Sequence, residues 1–176
     1  MRLVIADDSA LIRDGLAQVL HGRDHEIIAA VGDADSLLGA VARARPDVAL
    51  VDIRMPPSYT SEGITAATTI QREHPEVGVI VLSQHIDADY ALAPINTRTA
   101  RSAYLLKDHI TDIETLSDAI DRVARGETII EPALVELLLR RPTTRSRLDD
   151  LTPRERECSP CSLRDSRTAA SASACG

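Results

Sequence analysis

The chain has 176 residues, a net charge of −7 and an apolar fraction of 44%, values typical of one globular domain with an additional segment. The acidic balance argues against a protein that binds nucleic acid along its whole length, and no apolar run approaches the roughly 20 residues of a membrane span. Aromatic residues make up only 2% of the chain, without Trp or Phe, so the core must be aliphatic.

The start of the chain and its cysteines indicate where the protein works. The first residues enter a strand pattern directly, without the features of a signal peptide. The cysteines, Cys158, Cys161 and Cys175, all lie near the C-terminal end, so no disulfide framework holds the remainder of the chain. We therefore expect a soluble, cytoplasmic protein that does not associate with a membrane.

Short apolar runs alternate with helical patterns along the first two thirds of the chain. The runs predict strands at Arg2–Ala6, Glu26–Val31, Val48–Asp52, Gly78–Leu82 and Ala103–Leu106. Apolar residues at helical spacing predict helices at Ala10–Leu20, Ser36–Ala44, Gly63–Glu73, Asp87–Thr97, and from Thr111 or Asp112 to Ala124. Pro94 should shorten or kink the fourth helix, and Gly126 should end the fifth. This alternation predicts an α/β fold with a flavodoxin-like, doubly wound, five-stranded parallel sheet.

Charged and polar residues follow four of these strands. Asp7 and Asp8 follow the first strand, Asp52 ends the third, Ser83 follows the fourth and Lys107 follows the fifth. The carboxyl ends of parallel strands meet at one edge of the sheet, so these side chains should converge. Clustered carboxylates repel one another unless a hard cation such as Mg²⁺ is bound. The lysine and the hydroxyl could then bind an anion, which indicates a phosphoryl site with a carboxylate nucleophile.

Each of these residues also has an ordinary structural interpretation. Asp7 and Asp8 could stabilise a helix N-terminus, Ser83 could cap a strand, and Lys107 could be a solvated loop residue. Their joint occurrence, each at the end of its own strand, favours the functional interpretation.

Four short motifs resemble one known family. They are V-I-A-D-D-S near the N-terminus, V-D-I-R-M-P-P at the third strand, V-L-S at the fourth and A-Y-L-L-K-D at the fifth. Together they resemble the receiver domain of bacterial two-component response regulators over residues 1–125. The R-M-P-P loop with Thr60 to Gly63, and L-L-K-D, resemble the NarL/FixJ type, whose output domain is LuxR-like.

The resemblance implies a role for each residue of the acidic site. Asp52 would be the phosphoacceptor for a sensor histidine kinase. Asp8 would bind Mg²⁺ directly, Asp7 would assist through water, and the backbone carbonyl of Arg54 would complete the protein ligands.

The resemblance also implies a switch. Lys107 would pair with the phosphoryl oxygens, Ser83 would move toward the phosphoryl group, and Tyr104 would rotate inward. These movements would couple phosphorylation to the face formed by the fourth helix, the fifth strand and the fifth helix. A second copy of the chain, in a homodimer, is a further expected partner.

The remainder of the chain is expected to have three parts. Residues 126–150 would be a linker with a short helix at Glu131–Arg140, and residues 151–157, L-T-P-R-E-R-E, resemble the opening of a LuxR-type helix-turn-helix. Residues 158–176 lack apolar periodicity and are expected to be disordered, with no DNA-binding residues retained. Loss of one G after the codon for Glu157 would explain this change, as a frameshift. Cys158 and Cys161 are then not expected to form a zinc or redox site.

Several functions remain open at this point. The first is a non-enzymatic response regulator, which would regulate transcription through DNA only if its helix-turn-helix were intact. The second is a stand-alone receiver that acts as a dimerisation module or phosphate sink. The third is a Mg²⁺-dependent phosphohydrolase of the haloacid-dehalogenase kind, although Arg54 stands where such enzymes need a second acid. A flavin-binding flavodoxin is disfavoured because aromatic residues are nearly absent.

Overall fold

A computed structural model of the chain describes residues 1–23, 25–84, 101–109, 113–132 and 135–136. All of them belong to one compact unit, Met1–Leu138. Among these residues, no helix is both long and apolar enough to cross a membrane.

The described residues alternate between strands and helices in the predicted order. The strands are β1 (Arg2–Ala6), β2 (Glu26–Val31), β3 (Val48–Asp52), β4 (Gly78–Ser83), β5 (Ser102–Leu106) and β6 (Thr128–Ile130). The α-helices are α1 (Ala10–His21), α2 (Ala34–Ala44), α3 (Glu62–Glu73) and α4 (Ile113–Ala124), and a 3₁₀ turn covers Lys107–His109. Numbering follows the described residues, so α4 is the helix predicted as the fifth.

The strands form one parallel sheet in the order β2-β1-β3-β4-β5-β6. Its order reverses direction between β1 and β3, because β2 lies on one side of β1 and all later strands lie on the other. Ligand sites of open parallel sheets form at such a reversal, beyond the carboxyl ends of the strands. The predicted α/β class and parallel sheet are confirmed.

The core lies on both faces of the sheet, as burial of a parallel sheet requires. Side chains alternate between the faces along each strand, so Leu3 and Ile5 contact one hydrophobic cluster while Val4 and Ala6 contact the other. The first cluster includes Leu20 of α1 and the inner residues of α4, and the second includes the inner residues of α2 and α3. The fully buried β3, which is central in the sheet, has no exposed face.

Strand β6 was not predicted. It lies in the segment interpreted as a linker and pairs in parallel with β5, where Tyr104 is opposite Ile130. Gly126 permits the turn that leads into it, because its φ of 102° is accessible mainly to glycine. The chain therefore returns to the sheet after α4 and extends it to six strands.

Smaller differences occur at the ends of elements. Helix α2 begins at Ala34 rather than at Ser36, because the Asp33 carboxylate accepts a hydrogen bond from the Ser36 amide at 2.8 Å and caps the first turn. The predicted fourth helix with Pro94, the proposed caps Thr111 and Asp112, most of the helix Glu131–Arg140 and everything from residue 137 onward lie outside the described residues.

Candidate functional site

The predicted residues of the phosphoryl site meet at the carboxyl edge of the sheet. Asp52 is the last residue of β3 and only 5% exposed, and Asp7, directly after β1, is completely buried. Asp8 is exposed beside them. One carboxylate oxygen of each of the three residues lies within 4.8 Å of the others. The topology brings these acids together because β1 and β3 are adjacent parallel strands.

Lys107 links two of the acids. Its Nζ lies 2.6 Å from Asp7 Oδ2 and 3.0 Å from Asp52 Oδ1, and its side chain is only 12% exposed. The 3₁₀ turn that follows β5 brings the lysine over the edge of the sheet. The ammonium therefore compensates part of the negative charge that the acids bring into the site.

The pKa values of both partners of this ion pair are raised, but for different reasons. Burial raises the pKa of Asp52, Lys107 lowers it only partly, and the charges of Asp7 and Asp8 raise it further. The pKa of Lys107 is raised as well, since hydrogen bonds and attraction to Asp7 and Asp52 outweigh the opposing effect of burial. An excess of negative charge therefore remains in the site, and an added cation would be attracted to it.

The two adjacent acids, Asp7 and Asp8, have different surroundings. Asp7 Oδ1 accepts the Ser9 amide at 2.9 Å, and Oδ2 accepts Lys107 Nζ. Both oxygens of the buried Asp7 are thus engaged within the protein, whereas the side chain of Asp8 extends toward solvent. Three carboxylates form an oxygen donor set that suits a hard divalent cation, and the exposed Asp8 is the accessible member.

The start of α3 lies against the backbone of the Asp52 strand end. The Gly63 amide donates to the Ile53 carbonyl at 3.0 Å. A Cβ at Gly63 would lie only 1.8 Å from the carbonyl oxygen of Asp52, so no other residue fits without movement of the helix or the strand. The glycine therefore sets the position of the peptide that follows the central acid.

The loop between β3 and α3 is closed by Glu62. Its carboxylate accepts the amides of Ser58 at 3.2 Å and Thr60 at 2.9 Å, together with the Ser58 hydroxyl. These hydrogen bonds, that of the Ser58 hydroxyl above all, lower the pKa of Glu62. The loop therefore has its own hydrogen-bonded structure, and Tyr59 at its tip is 52% exposed.

The other predicted residues, Ser83, Arg54 and Tyr104, differ in their exposure and in their position relative to the edge of the sheet. Ser83 ends β4 and is 6% exposed, one position after Leu82, which pairs with Asp52. Arg54 is exposed, two positions after Asp52. Tyr104 is 1% exposed and belongs to the hydrophobic core in the middle of β5. Ser83 thus shares the edge of the acids, whereas Tyr104 is packed within the sheet.

Three contacts of the site were missed from the sequence. Arg13 of α1 donates to the carbonyl oxygens of Asp7 and Asp8, Gly63 touches the Asp52 backbone, and Glu131 Oε2 accepts the amide of Leu106 at 3.3 Å. The spacing of Arg13, five positions after Asp8 on a predicted helix, was the only available signal. The Glu131 contact depends on β6, which had no periodicity to predict it.

The sequence matches a known family over most of this unit. A family model for the response regulator receiver domain matches residues 3–121. The oxygen regulatory protein NreC of Staphylococcus haemolyticus (strain JCSC1435) is 29% identical over 153 residues, which cover 86% of this chain and 68% of that protein. The transcriptional regulatory protein DegU of Brevibacillus brevis is 33% identical over 141 residues, which cover 80% of this chain and 57% of DegU.

The fold is similar to that of solved receiver structures. The isolated REC domain of RcsB from Salmonella enterica serovar Typhimurium, in the presence of the phosphomimetic BeF3-, has a TM-score of 0.64 and 21% identity. The match covers 78% of this chain and 97% of that structure. At this identity the likeness concerns the fold alone.

Proposed function

The chain belongs to the response regulator receiver family and to its NarL/LuxR branch, and on this basis we propose that Asp52 accepts a phosphoryl group from a sensor histidine kinase. The observation that supports this proposal is that Asp52 is bonded to Lys107 and lies within 4.8 Å of both Asp7 and Asp8. The Asp52 carboxylate is buried at the end of the central strand, and its Oδ1 lies 3.0 Å from the Lys107 ammonium.

The chemistry follows from these groups. An Asp52 carboxylate oxygen attacks the phosphorus, the P–N bond to the histidine breaks, and its electron pair stays on the imidazole nitrogen, which takes up a proton. The transferred group arrives with further negative charge at a site that is already acidic. Lys107 then exchanges its bond to Asp52 for one to a phosphoryl oxygen, while its bond to Asp7 keeps the ammonium in place.

The proposed cofactor is Mg²⁺. The carboxylates of Asp7, Asp8 and Asp52 would hold it, with Asp8 as a direct ligand, Asp7 through water, and the Arg54 carbonyl as a further donor. When bound, the cation supplies charge neutralisation for the acids and for the phosphoryl oxygens. The fit is supported by the all-oxygen donor set and by the raised pKa of Asp52, which burial and the neighbouring acids cause.

Ser83 and Tyr104 are the proposed switch residues. Ser83 ends the strand adjacent to β3, which supports a role in which its hydroxyl donates to a phosphoryl group on Asp52. Tyr104 is buried between neighbours on β4 and β6, because Val81 and Ile130 lie opposite it. A shift of β5 would therefore alter the packing of this aromatic ring.

A second part of the proposal concerns regulation of transcription by the ancestor of this chain. DegU is named a transcriptional regulatory protein, and we propose that residues 1–125 are a receiver that once served such a role. Residues 151–157 would be the remnant of a helix-turn-helix that residues 158–176 do not continue, with residues 126–150 as the linker. On this proposal the chain is not an enzyme, and phosphotransfer is its remaining chemistry.

Acetyl phosphate tests the proposal without a kinase. The protein is incubated with acetyl phosphate and MgCl₂, and its intact mass is measured. We expect one phosphoryl adduct that is absent in Asp52→Asn, absent with EDTA, and retained in Asp14→Asn, which changes an exposed acid of α1. An adduct that persists in Asp52→Asn would exclude Asp52 as the acceptor.

A further inference from the structure

Arg13 connects helix α1 to the backbone of the acidic pair. Its Nη1 donates to the carbonyl oxygen of Asp7 at 2.5 Å and to that of Asp8 at 3.2 Å. The side chain is half-buried, so these charge-assisted hydrogen bonds are less screened than those of a surface arginine. Two consecutive carbonyl groups therefore point at one guanidinium.

The same short segment is fixed from its other side. The Asp7 amide donates to the Val31 carbonyl at 3.1 Å, and the Ser9 amide donates to the Asp7 carboxylate at 2.9 Å. None of these bonds holds the carbonyl of Asp8, the more exposed acid. Among the bonds of the described residues, that of Arg13 is the one that joins the carbonyls of both acids to a single group.

Gly32 provides the space in which the guanidinium lies. A Cβ at Gly32 would be 3.1 Å from Arg13 Nη1, 3.7 Å from Cζ and 3.9 Å from the Asp7 carbonyl oxygen. A larger side chain after β2 would therefore displace Arg13 from the carbonyls. The small Gly32 thus leaves room, at the end of β2, for the Arg13 side chain of α1 to reach the carbonyls of the acidic pair.

We propose that Arg13 is a positioning residue that sets the affinity of the acidic cluster for its divalent cation, an inference that rests on the proposed Mg²⁺ requirement. Arg13 touches neither the cation nor the phosphoryl group. It acts by fixing the peptides of Asp7 and Asp8, so that the Asp8 carboxylate is held in the orientation in which it meets Asp52. The role is comparable to the outer partners of metal ligands, whose loss typically weakens metal binding about 10–100-fold.

The positioning role and a simple charge effect predict opposite results. The positive guanidinium repels a second cation, so its removal would tighten Mg²⁺ binding if electrostatics alone acted. If positioning dominates, removal weakens binding although the repulsion is relieved. The direction of the change therefore distinguishes the two.

The experiment is an NMR titration of the backbone amides with MgCl₂, without a phosphodonor. We expect Arg13→Ala to raise the half-saturating Mg²⁺ concentration about tenfold, and Arg13→Lys to give an intermediate value because lysine keeps the charge but has a different donor geometry. Gly32→Val keeps Arg13 but fills the space that its guanidinium occupies, so this variant should also raise the half-saturating Mg²⁺ concentration.

Helix α2 offers a matched control. Arg43 lies over Gly39 in the same way, with its Nη1 3.1 Å from the Cβ position, but it is not bonded to the acids. Arg43→Ala and Gly39→Val should leave the Mg²⁺ midpoint unchanged. With acetyl phosphate, Arg13→Ala should regain the wild-type phosphorylation rate to within about twofold at saturating Mg²⁺.

The outcomes separate this inference from the proposed function. If the wild type binds Mg²⁺ at the acidic cluster and Arg13→Ala has the same or a lower midpoint, the positioning role is refuted and the proposed function stands. If the wild type shows no Mg²⁺-dependent shifts near Asp8, the Mg²⁺ requirement fails and the inference fails with it. Should Arg13→Ala not fold, Gly32→Val decides, and an unchanged midpoint in that variant overturns the inference.

Discussion

Asp52 and Lys107 form an ion pair whose two members have opposite effects on stability. Burial raises the pKa of Asp52, so its ionised form is less favourable in the folded protein than in the unfolded chain. Lys107 has a raised pKa because its bonds to Asp7 and Asp52 favour the charged form despite burial. Removing the charge at Asp52 should therefore stabilise the fold, whereas removing that of Lys107 should destabilise it.

We predict that Asp52→Asn raises the free energy of unfolding at pH 7 by about 1 kcal/mol in the absence of Mg²⁺. Below the ordinary pKa of 3.8, Asp52 is protonated in both the folded and the unfolded state, so the two proteins should be equally stable. As the pH rises through the raised pKa of the folded state, the wild type loses stability relative to the variant. Urea unfolding between pH 4 and pH 7 measures the difference.

Asp14→Asn is the control for this comparison, because Asp14 is exposed on α1. Its effect should stay within about 0.5 kcal/mol across the same range. A wild type that is more stable than Asp52→Asn at pH 7 would show that attraction to Lys107 outweighs the burial of the carboxylate.

Lys107→Met should lower the free energy of unfolding at pH 7 by about 3 kcal/mol, since it leaves the buried carboxylates of Asp7 and Asp52 without their cationic partner. Because the pKa of Lys107 in the folded protein is raised above 10.5, its charged ammonium stabilises the fold at all pH values below 10.5. This stabilisation is lost only as the pH rises through the raised pKa of the folded state. Mg²⁺ should restore more stability to this variant than to the wild type. A loss that Mg²⁺ leaves unchanged would contradict a shared site.

The junction between β3 and α3 is the element contact that positions the central acid. Gly63→Ala should cost about 3 kcal/mol, because the added Cβ would overlap the carbonyl oxygen of Asp52. Gly15 lies in the exposed part of α1 with nothing within 4 Å of a Cβ, so Gly15→Ala should instead stabilise the protein by roughly 0.5–1 kcal/mol. Thermal unfolding of both variants checks the opposite signs, and a Gly63→Ala variant as stable as the wild type would refute the close approach at Gly63.

Long apolar or amphipathic elements were predictable from the sequence, whereas short ones were not. Strand β3 is an uninterrupted buried run that ends in Asp52, and its predicted bounds match those observed. Strand β6 has three residues, too few to show a periodicity, and its place depends on pairing with β5. A local pattern contains no information about such a pairing.

The same distinction applies to the site. The meeting of Asp7, Asp52 and Lys107 could be predicted because it requires only that each residue follows its own parallel strand. The contact of Arg13 with two carbonyl groups depends on the path of a long side chain and on the space at Gly32. Such contacts arise only when the elements are packed.

For the whole chain, we predict no sequence-specific DNA binding. A recognition helix needs an apolar face to pack against its own domain, and residues 158–176 have Leu163 as their single large aliphatic residue. A gel-shift assay with promoter fragments should show no specific complex, and a salt-resistant, sequence-dependent shift would contradict this prediction.

The coding DNA after Leu151 tests the frameshift separately. Restoring one base should open a reading frame that encodes a helix-turn-helix pattern.

The position of the phosphoryl group is the most direct test of the central claim. The protein is phosphorylated with acetyl phosphate and Mg²⁺, reduced with borohydride, and digested for tandem mass spectrometry, so that a phosphorylated aspartate is converted to homoserine. We predict homoserine at position 52 alone, at the C-terminal end of β3. Homoserine at Asp7 or Asp8, or at no acid of the cluster, would contradict the assignment of Asp52 as the phosphoacceptor.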